Sequence, residues 1–336
     1  MEDPHYMKRI DVHSHVIPET IVQAMREQPD LYKTVIEGEG HARKFVRGKV
    51  KFDLIPEFYD ADAKVESMDR KGIDISVISP GPQAFFYGLG ADQALKTAQI
   101  VNQGIAQMVE ARPDRLRGMA TLPMQHPDAA IAELERVVKD YGFKAVELGT
   151  AIGNDELAEP KFRPVLRRIQ ELKVVLFAHP NTQGSAGRLD CYYLTNLIGN
   201  PLDTTVMVGK LMLSGALDEL PELKILLAHG GGFLPYQIGR FEHGSKVRPD
   251  TSAVTKTSPI EMFKRFYFDA LTHSPEAIRY LINLVGSDHV VIGTDSPFDM
   301  GEERPVERLD AVPGITQAER EDVCYRSAMN LFGGKL

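Results

Sequence analysis

Residues of the types that bind metal ions follow four short apolar segments of the sequence. His13 and His15 form an H-x-H pair after the first segment, His179 follows KVVLFA, His229 follows LKILLA, and Asp295 follows HVVIGT. A single such histidine could be a hydrogen-bonded core residue, but chance would rarely put His or Asp after four segments. Imidazoles with a carboxylate suit zinc, manganese or another divalent first-row ion. The pattern predicts one metal held by His13, His15, His179 and Asp295, with a position open for water or substrate.

Eight apolar runs would position these residues. They are 8–13, 74–79, 116–121, 143–148, 173–178, 223–228, 265–270 and 289–294. Each is rich in Val, Ile, Leu or Phe with little polar alternation, as expected for strands buried on both faces. Helix-period stretches such as 93–111 and 317–331 separate the runs. The alternation predicts an α/β fold, a (β/α)8 TIM barrel. A doubly wound sheet is the alternative, but it would require a glycine-rich turn after its first strand, which the sequence lacks.

The barrel prediction explains why the polar residues follow the runs. Active sites of such barrels lie at the carboxyl ends of the strands, so the four polar ends should meet at one mouth. Alternate residues of a strand point the same way, which places His13 and His15 on one face. We expect Asp11 to face the barrel axis with them, while Ile10 and Val12 face the helices.

The first and second runs are separated by about 60 residues, more than a crossover helix needs. The segment 44–53 reads as a hairpin that turns at Arg47-Gly48. We therefore expect one domain over residues 1–336, with an insertion at about 17–60 lying over the barrel mouth.

Composition narrows the class of protein. The chain has 336 residues, with 39 Lys and Arg against 47 Asp and Glu, a net charge of −8. Nucleic-acid and membrane-surface binding need a positive field, so neither partner is expected. Two cysteines, Cys191 and Cys324, make no disulfide framework, and the first residues lack the apolar segment of a secretory signal. We expect a cytoplasmic enzyme.

Several motifs resemble those of a known family. IDVHSH, FAHP, LAHGGG and GTDSPF are similar to segments of the amidohydrolase superfamily, as are VESMDRKGID and the closing SAMNLFG. The likeness is greatest to the branch of aminocarboxymuconate-semialdehyde decarboxylase and γ-resorcylate decarboxylase. It implies His13, His15, His179 and Asp295 as ligands of one divalent ion, Zn²⁺ first and Mn²⁺ second. It also implies catalytic roles for Asp295 and for His229, the latter as acid or base beside the metal-bound water.

The resemblance predicts a reaction as well as a site. Many amidohydrolases hold two metals bridged by a lysine on strand four, but that strand ends here in Glu147-Leu148-Gly149, so one metal is favoured. We expect non-oxidative decarboxylation of an unsaturated or aromatic carboxylic acid. Metal-dependent hydrolysis of an amide or lactone is the main alternative, and hydration or metal storage is less favoured. HGGG also occurs in α/β-hydrolases, but the G-x-S-x-G motif they require is absent.

The resemblance also indicates which residues should bind a small carboxylic acid. Relatives imply a homodimer in which Arg240 reaches the partner's substrate, and Phe298 should line the pocket. In the family's insertion, an arginine binds a carboxylate of the substrate. An ungapped alignment places Phe52 at the position of that arginine. Arg47 and Lys51 are therefore the candidate anchors, for a substrate different from aminocarboxymuconate semialdehyde. A solvated hairpin that binds nothing is the alternative.

Overall fold

The computed structural model describes residues 7–181, 187–334 and 336. The strands in this part of the chain are β1 Ile10–Val16, β2 Val35–Glu37, β3 Lys44–Arg47, β4 Val50–Asp53, β5 Ile75–Pro80, β6 Leu116–Ala120, β7 Ala145–Gly149, β8 Ala151–Ile152, β9 Asp155–Glu156, β10 Val175–His179, β11 Ile225–Leu227, β12 Tyr267–Asp269 and β13 Val290–Val291. The α-helices are α1 Glu19–Glu27, α2 Pro29–Tyr32, α3 Ala61–Lys71, α4 Ala91–Ala111, α5 Pro127–Asp140, α6 Arg163–Glu171, α7 Asn200–Leu213, α8 Ala216–Glu219, α9 Leu234–Val247, α10 Pro249–Ser252, α11 Pro259–Phe263, α12 Pro275–Val285, α13 Pro305–Asp310, α14 Gln317–Glu321 and α15 Ser327–Leu331.

Eight of these strands form one parallel sheet that curves into a barrel. Their order is β1-β5-β6-β7-β10-β11-β12-β13, and parallel bridges from Asp11 to Ile292 and from Ser14 to Ser296 join its two edges. Helices lie between successive strands along the chain. The predicted (β/α)8 barrel is confirmed, and each of the eight apolar runs overlaps one of its strands.

The interior of the barrel corrects one expectation about the first strand. Ile10 and Val12 do not face the helices, because they belong to the apolar cluster that also contains Val77, Phe177 and Leu226 from three other strands. The pairing of β1 with β5 shifts register between Asp11 and Ser14. Such an irregularity inserts a residue and changes which face the following side chains occupy. His13 and His15 therefore meet the other site residues, whereas Asp11 accepts a bond from the Thr294 hydroxyl at 2.7 Å.

Helices cover the barrel because their apolar faces match its outer surface. In α12, Ser274 caps the first turn by accepting a bond from the Ala277 amide. Ile278, Leu281 and Ile282 then occupy one buried face, at the spacing of helical neighbours. Burial of each such side chain contributes about 1.5–3 kcal/mol. Among the described helices, none has both the length and the apolar character required to cross a bilayer.

Residues 17–60 contain two short α-helices, a 3-10 helix at Pro56–Phe58 and the three-stranded antiparallel sheet β2-β3-β4. The hairpin of β3 and β4 pairs Arg47 with Val50, so the turn falls at Gly48 and Lys49. The ring of Phe52 lies 5.9 Å from that of Phe298, between ring centres. Because Phe298 follows the last barrel strand, this contact joins the sheet to the carboxyl ends of the barrel strands.

Candidate metal centre

The structure brings together the five polar residues that end the barrel strands. The Nε2 atoms of His13 and His15 are 3.0 Å apart. Asp295 Oδ1 lies 3.4 Å from the first and 3.1 Å from the second. The ring of His179 stands 4.8 Å from that of His15, between centres, and His229 Nε2 lies 3.5 Å from Asp295 Oδ2. Imidazole and carboxylate atoms thus converge on one point at the barrel mouth.

The second ring nitrogen of each deeply buried histidine faces an acceptor. His13 Nδ1 donates to Asp269 at 2.6 Å, His15 Nδ1 lies 3.3 Å from the Pro80 carbonyl, and His179 Nδ1 donates to the Pro180 carbonyl at 2.8 Å. A proton on Nδ1 leaves Nε2 with a free lone pair. All three rings therefore present a ligand atom to the centre.

Unpaired polar atoms show that these residues suit a cation. His179 Nε2 and Asp295 Oδ1 are buried and have no hydrogen-bond partner in the structure. An unsatisfied buried polar atom costs about 1–3 kcal/mol, so a cluster of them requires an explanation. A divalent ion coordinated by the imidazoles and the carboxylate would satisfy them together, and the donor types match such an ion.

The electrostatics of the cluster favour the ligand forms of His15, His179 and Asp295. Burial lowers the pKa of His15 to about 4 and lowers the pKa of His179 well below its usual range, so both rings are neutral at pH 7. Burial by itself would raise the pKa of Asp295, but the neighbouring His13 outweighs it and holds that pKa well below its usual range. Neutral imidazoles and an ionised carboxylate are the species that bind metals.

Two buried carboxylates behind the histidines were not predicted as site residues. Asp269 ends β12 and contacts His13, whereas Glu147 on β7 lies 3.7 Å from His15 Nδ1 and 3.9 Å from His179 Nδ1. Burial raises the pKa of Glu147 well above its usual range. The sequence held a signal for Asp269, because it ends an apolar run as His179 and Asp295 do.

The backbone at the mouth adopts left-handed conformations. His229 has φ 55° and Asp295 has φ 57°, values that are uncommon for residues with a Cβ atom. Gly232 has φ 65°, and a Cβ atom there would lie 2.2 Å from the Pro201 carbonyl oxygen. The glycines after His229 are therefore required by the turn and by its close contact with α7.

A cavity of about 440 Å³ opens beside His229 and Asp295. The other residues that line it are Asn196, Leu197, Asn200, Pro201, Gly230, Gly232, Phe233, Pro235, Tyr236, Leu271, Thr272, His273, Ala277, Tyr280, Leu281 and Met300. Aromatic and aliphatic side chains dominate, and the described lining contains neither lysine nor arginine. Such a cavity suits an apolar body, with polar recognition at the end that holds His229 and Asp295.

The predicted substrate-binding residues lie in different surroundings. Phe298 is half-buried, and its ring centre is 5.3 Å from that of His15. Arg47 donates to the Thr34 hydroxyl and to the Gln83 carbonyl, both at 2.7 Å. Lys51 is exposed and pairs with Glu37 at 2.9 Å. Arg240 is exposed on α9, and none of the four residues Phe298, Arg47, Lys51 and Arg240 lines the cavity.

Comparisons with known proteins agree with the fold and identify the family. The sequence profile of the Amidohydrolase family, Amidohydro_2, matches residues 10–334. The 2-amino-3-carboxymuconate-6-semialdehyde decarboxylase of Dictyostelium discoideum is 31% identical over 97% of this chain and 91% of its own. The γ-resorcylate decarboxylase of a Polaromonas strain is 29% identical over 81% of this chain and 86% of its own.

A solved structure gives the same fold. The 5-carboxyvanillate decarboxylase of Sphingomonas paucimobilis superposes with a TM-score of 0.85, covering 98% of this chain and 99% of its own at 23% identity. The molecule is thus a (β/α)8 barrel with a polar cluster at its mouth. The chain belongs to the amidohydrolase family, in the branch whose relatives include 2-amino-3-carboxymuconate-6-semialdehyde decarboxylase.

Proposed function

We propose that the protein is a metal-dependent, non-oxidative decarboxylase of an unsaturated or aromatic carboxylic acid. The observation that carries this proposal is the convergence of three Nε2 atoms and the Asp295 carboxylate beside an apolar cavity. The named relatives that span most of the chain are decarboxylases, which favours this reaction over hydrolysis of an amide or lactone.

His13, His15, His179 and Asp295 would hold the ion, as the unpaired atoms of His179 and Asp295 support. The nitrogen-rich donor set favours Zn²⁺, with Mn²⁺ as the alternative. The bound ion would draw electron density from the substrate's oxygens, which stabilises charge left on carbon when CO₂ departs. The buried histidines fix where those oxygens lie.

His229 would transfer the proton that decarboxylation requires. Loss of CO₂ leaves an electron pair on carbon, and the product forms when that carbon gains a proton. His229 lines the cavity, its side chain retains 19% exposure, and its buried Nδ1 has no hydrogen-bond partner. Histidine is the side chain that most often transfers a proton in general acid–base catalysis. Asp295, 3.5 Å from its Nε2, would orient the ring as well as bind the ion.

The substrate would place its apolar ring or chain in the cavity and its carboxylate toward His229. Phe298, next to His15, offers an aromatic face on the opposite side. Between the two candidate anchors, the structure favours Arg47 over Lys51. Arg47 has a buried Nη2 without a partner, and no carboxylate pairs with it among the described residues, whereas Lys51 already pairs with Glu37.

We also propose a homodimer in which Arg240 reaches the partner's site. Large apolar side chains are exposed near the cavity, among them Tyr192, Leu197 and Tyr236. Tyr236 and Arg240 lie one turn apart on α9, so a second copy covering this surface would contact both. The free Cys191 and Cys324 support a cytoplasmic location, where thiols stay reduced.

The reaction is tested by incubating the Zn²⁺-loaded protein with a panel of aromatic and unsaturated acids, lactones and amides. We expect release of CO₂ from at least one acid and no hydrolytic product. His229→Asn should keep the metal and lose about 100-fold or more in kcat, as expected for a general acid–base group. Hydrolysis without CO₂ release would refute decarboxylation, and a metal-free His229→Asn protein would make His229 a ligand.

The dimer has its own test. Arg240→Ala and His229→Asn protomers, each weakly active by itself, are mixed and allowed to exchange. If Arg240 acts across the interface, mixed dimers contain one intact site and activity rises well above the sum of the parents. No rise in a protein shown by sedimentation to be dimeric would place Arg240 outside the partner's site.

A further inference from the structure

Asp269 is fully buried at the end of β12, and four N–H groups point at its carboxylate. Oδ2 accepts from His13 Nδ1 at 2.6 Å and from the His229 amide at 2.9 Å. Oδ1 accepts from the Gly230 amide at 2.8 Å and from the Leu271 amide at 3.1 Å. One side chain therefore contacts both a ring of the metal centre and the backbone of the residue assigned as acid or base.

Every hydrogen-bond partner of the Asp269 carboxylate is a donor. The bonds therefore fix both the ring of His13 and the backbone that follows β11. His13 donates from Nδ1 to bond Asp269, which leaves Nε2 as the atom that would bind a metal. The bonds to the amides of His229 and Gly230 hold two residues that have left-handed φ values of 55° and 61°. Hydrogen bonds to a charged acceptor are stronger than those between neutral groups, so they help to hold His229 in a conformation that is unfavourable for a residue with a Cβ atom.

The packing around Asp269 is close on the side of Gly293. A Cβ atom added to Gly293 would lie 2.7 Å from the Cβ of Asp269 and 2.9 Å from the Cβ of His13. The absence of a side chain at residue 293 thus lets β12 and β1 approach closely enough for the 2.6 Å bond. The contact joins His13 of β1 to Asp269 of β12, beside a glycine two positions after β13.

We propose that Asp269 is the positioning residue that couples the metal ligand His13 to the acid–base residue His229. This proposal rests on the proposed function of those two histidines. It adds that one shared carboxylate sets the geometry of both. Asp269 itself touches neither substrate nor metal. Carboxylates behind metal-binding histidines commonly contribute about 10–100-fold to metal affinity.

The variant Asp269→Asn tests this coupling, because an amide has one acceptor atom and one donor group. In either orientation its NH₂ group faces two N–H donors, on the side of His13 and His229 or on the side of Gly230 and Leu271. We expect Zn²⁺ affinity, measured by competition with a chelator, to fall about 10–100-fold. At saturating Zn²⁺, kcat should fall at least 10-fold while KM changes less than threefold.

The matched control is Glu133→Gln, another buried carboxylate with several hydrogen bonds, on α5 and away from the mouth. It should leave Zn²⁺ affinity and kcat unchanged even if thermal stability falls. A folded Asp269→Asn protein with wild-type Zn²⁺ affinity and wild-type kcat would overturn the proposal.

A measurement on the wild-type protein covers the case in which the variant does not fold. In the ¹⁵N NMR spectrum of the Zn²⁺-loaded protein, His13 should carry an exchange-protected proton on Nδ1 and none on Nε2. A proton on Nε2 would overturn the proposal. Zn²⁺ affinity and the position of the His13 proton are both measured without turnover. A wild-type protein that binds Zn²⁺ but releases no CO₂ would therefore refute the proposed function and leave this proposal standing.

Discussion

Lys64 is a buried cation that supports the turn carrying Asp295, and replacing it tests how the fold positions the site. It lies on α3 and is 1% exposed, with its Nζ 3.4 Å from Glu57 Oε1 and 3.3 Å from the carbonyl of Ser296. Ser296 follows Asp295 directly, so the buried cation holds the turn that presents the carboxylate. Lys64→Met removes the charge and keeps most of the apolar stem.

The expected loss of stability in Lys64→Met follows from the contacts that Lys64 makes. Removing one member of a buried ion pair costs about 3–5 kcal/mol because the remaining charge stays desolvated. Here Lys71 lies 3.9 Å from the same Glu57 and offsets part of that cost, whereas the Ser296 carbonyl loses a donor worth about 1 kcal/mol. We expect the free energy of unfolding to fall by about 3 kcal/mol.

Urea unfolding measures this change as a lower midpoint at an unchanged slope. Lys51→Met is the matched control, since its ion pair with Glu37 is half exposed and contributes about 1 kcal/mol or less. The double variant Lys64→Met with Glu57→Gln should recover at least about 1 kcal/mol, because the orphaned charge is removed. A single variant within about 0.5 kcal/mol of wild type, or no recovery in the double variant, would refute this reasoning.

Three further predictions concern the metal, the anchor and acid stability. Chelation should abolish activity, and His179→Ala or Asp295→Ala should lose most bound metal by elemental analysis; activity in a protein shown to be metal-free would contradict the site. Arg47→Ala should raise KM by about 10-fold or more, as loss of a charged hydrogen bond implies, and Lys51→Ala should not; equal KM values would exclude Arg47 as anchor. Arg279 lowers the pKa of Glu319 from 4.5 to about 2, so this pair stabilises the fold above pH 4.5 and its contribution is lost as the pH falls toward 2. Glu319→Gln should therefore unfold about 1 kcal/mol more easily at pH 7, with a difference that narrows below pH 4.5 in urea titrations; a constant difference would refute the linkage.

The sequence by itself determined the architecture and the polar residues at its mouth. Eight Val-, Ile- and Leu-rich runs separated by helical periods are local patterns, and the barrel is the arrangement that buries both faces of such strands. His179 and Asp295 could be found because each ends such a run, and the rule that active sites lie at the strands' carboxyl ends brings them together. The hairpin at 44–53 was likewise predicted from its sequence, although its turn falls at Gly48 and Lys49, one residue later than expected.

Only the tertiary structure decided how these groups face one another. Simple alternation placed Ile10 and Val12 against the helices, but both pack inside the barrel, and the register shift between β1 and β5 lets His13 and His15 reach the site as well. Arg47 and Lys51 differ by four positions in one hairpin, and it is their distant neighbours, Gln83 and Glu37, that distinguish them. The four bonds of Asp269 link residues up to 256 positions apart. A local pattern specifies which elements form and where they end, whereas contacts across the barrel arise only after the strands have closed around a common axis.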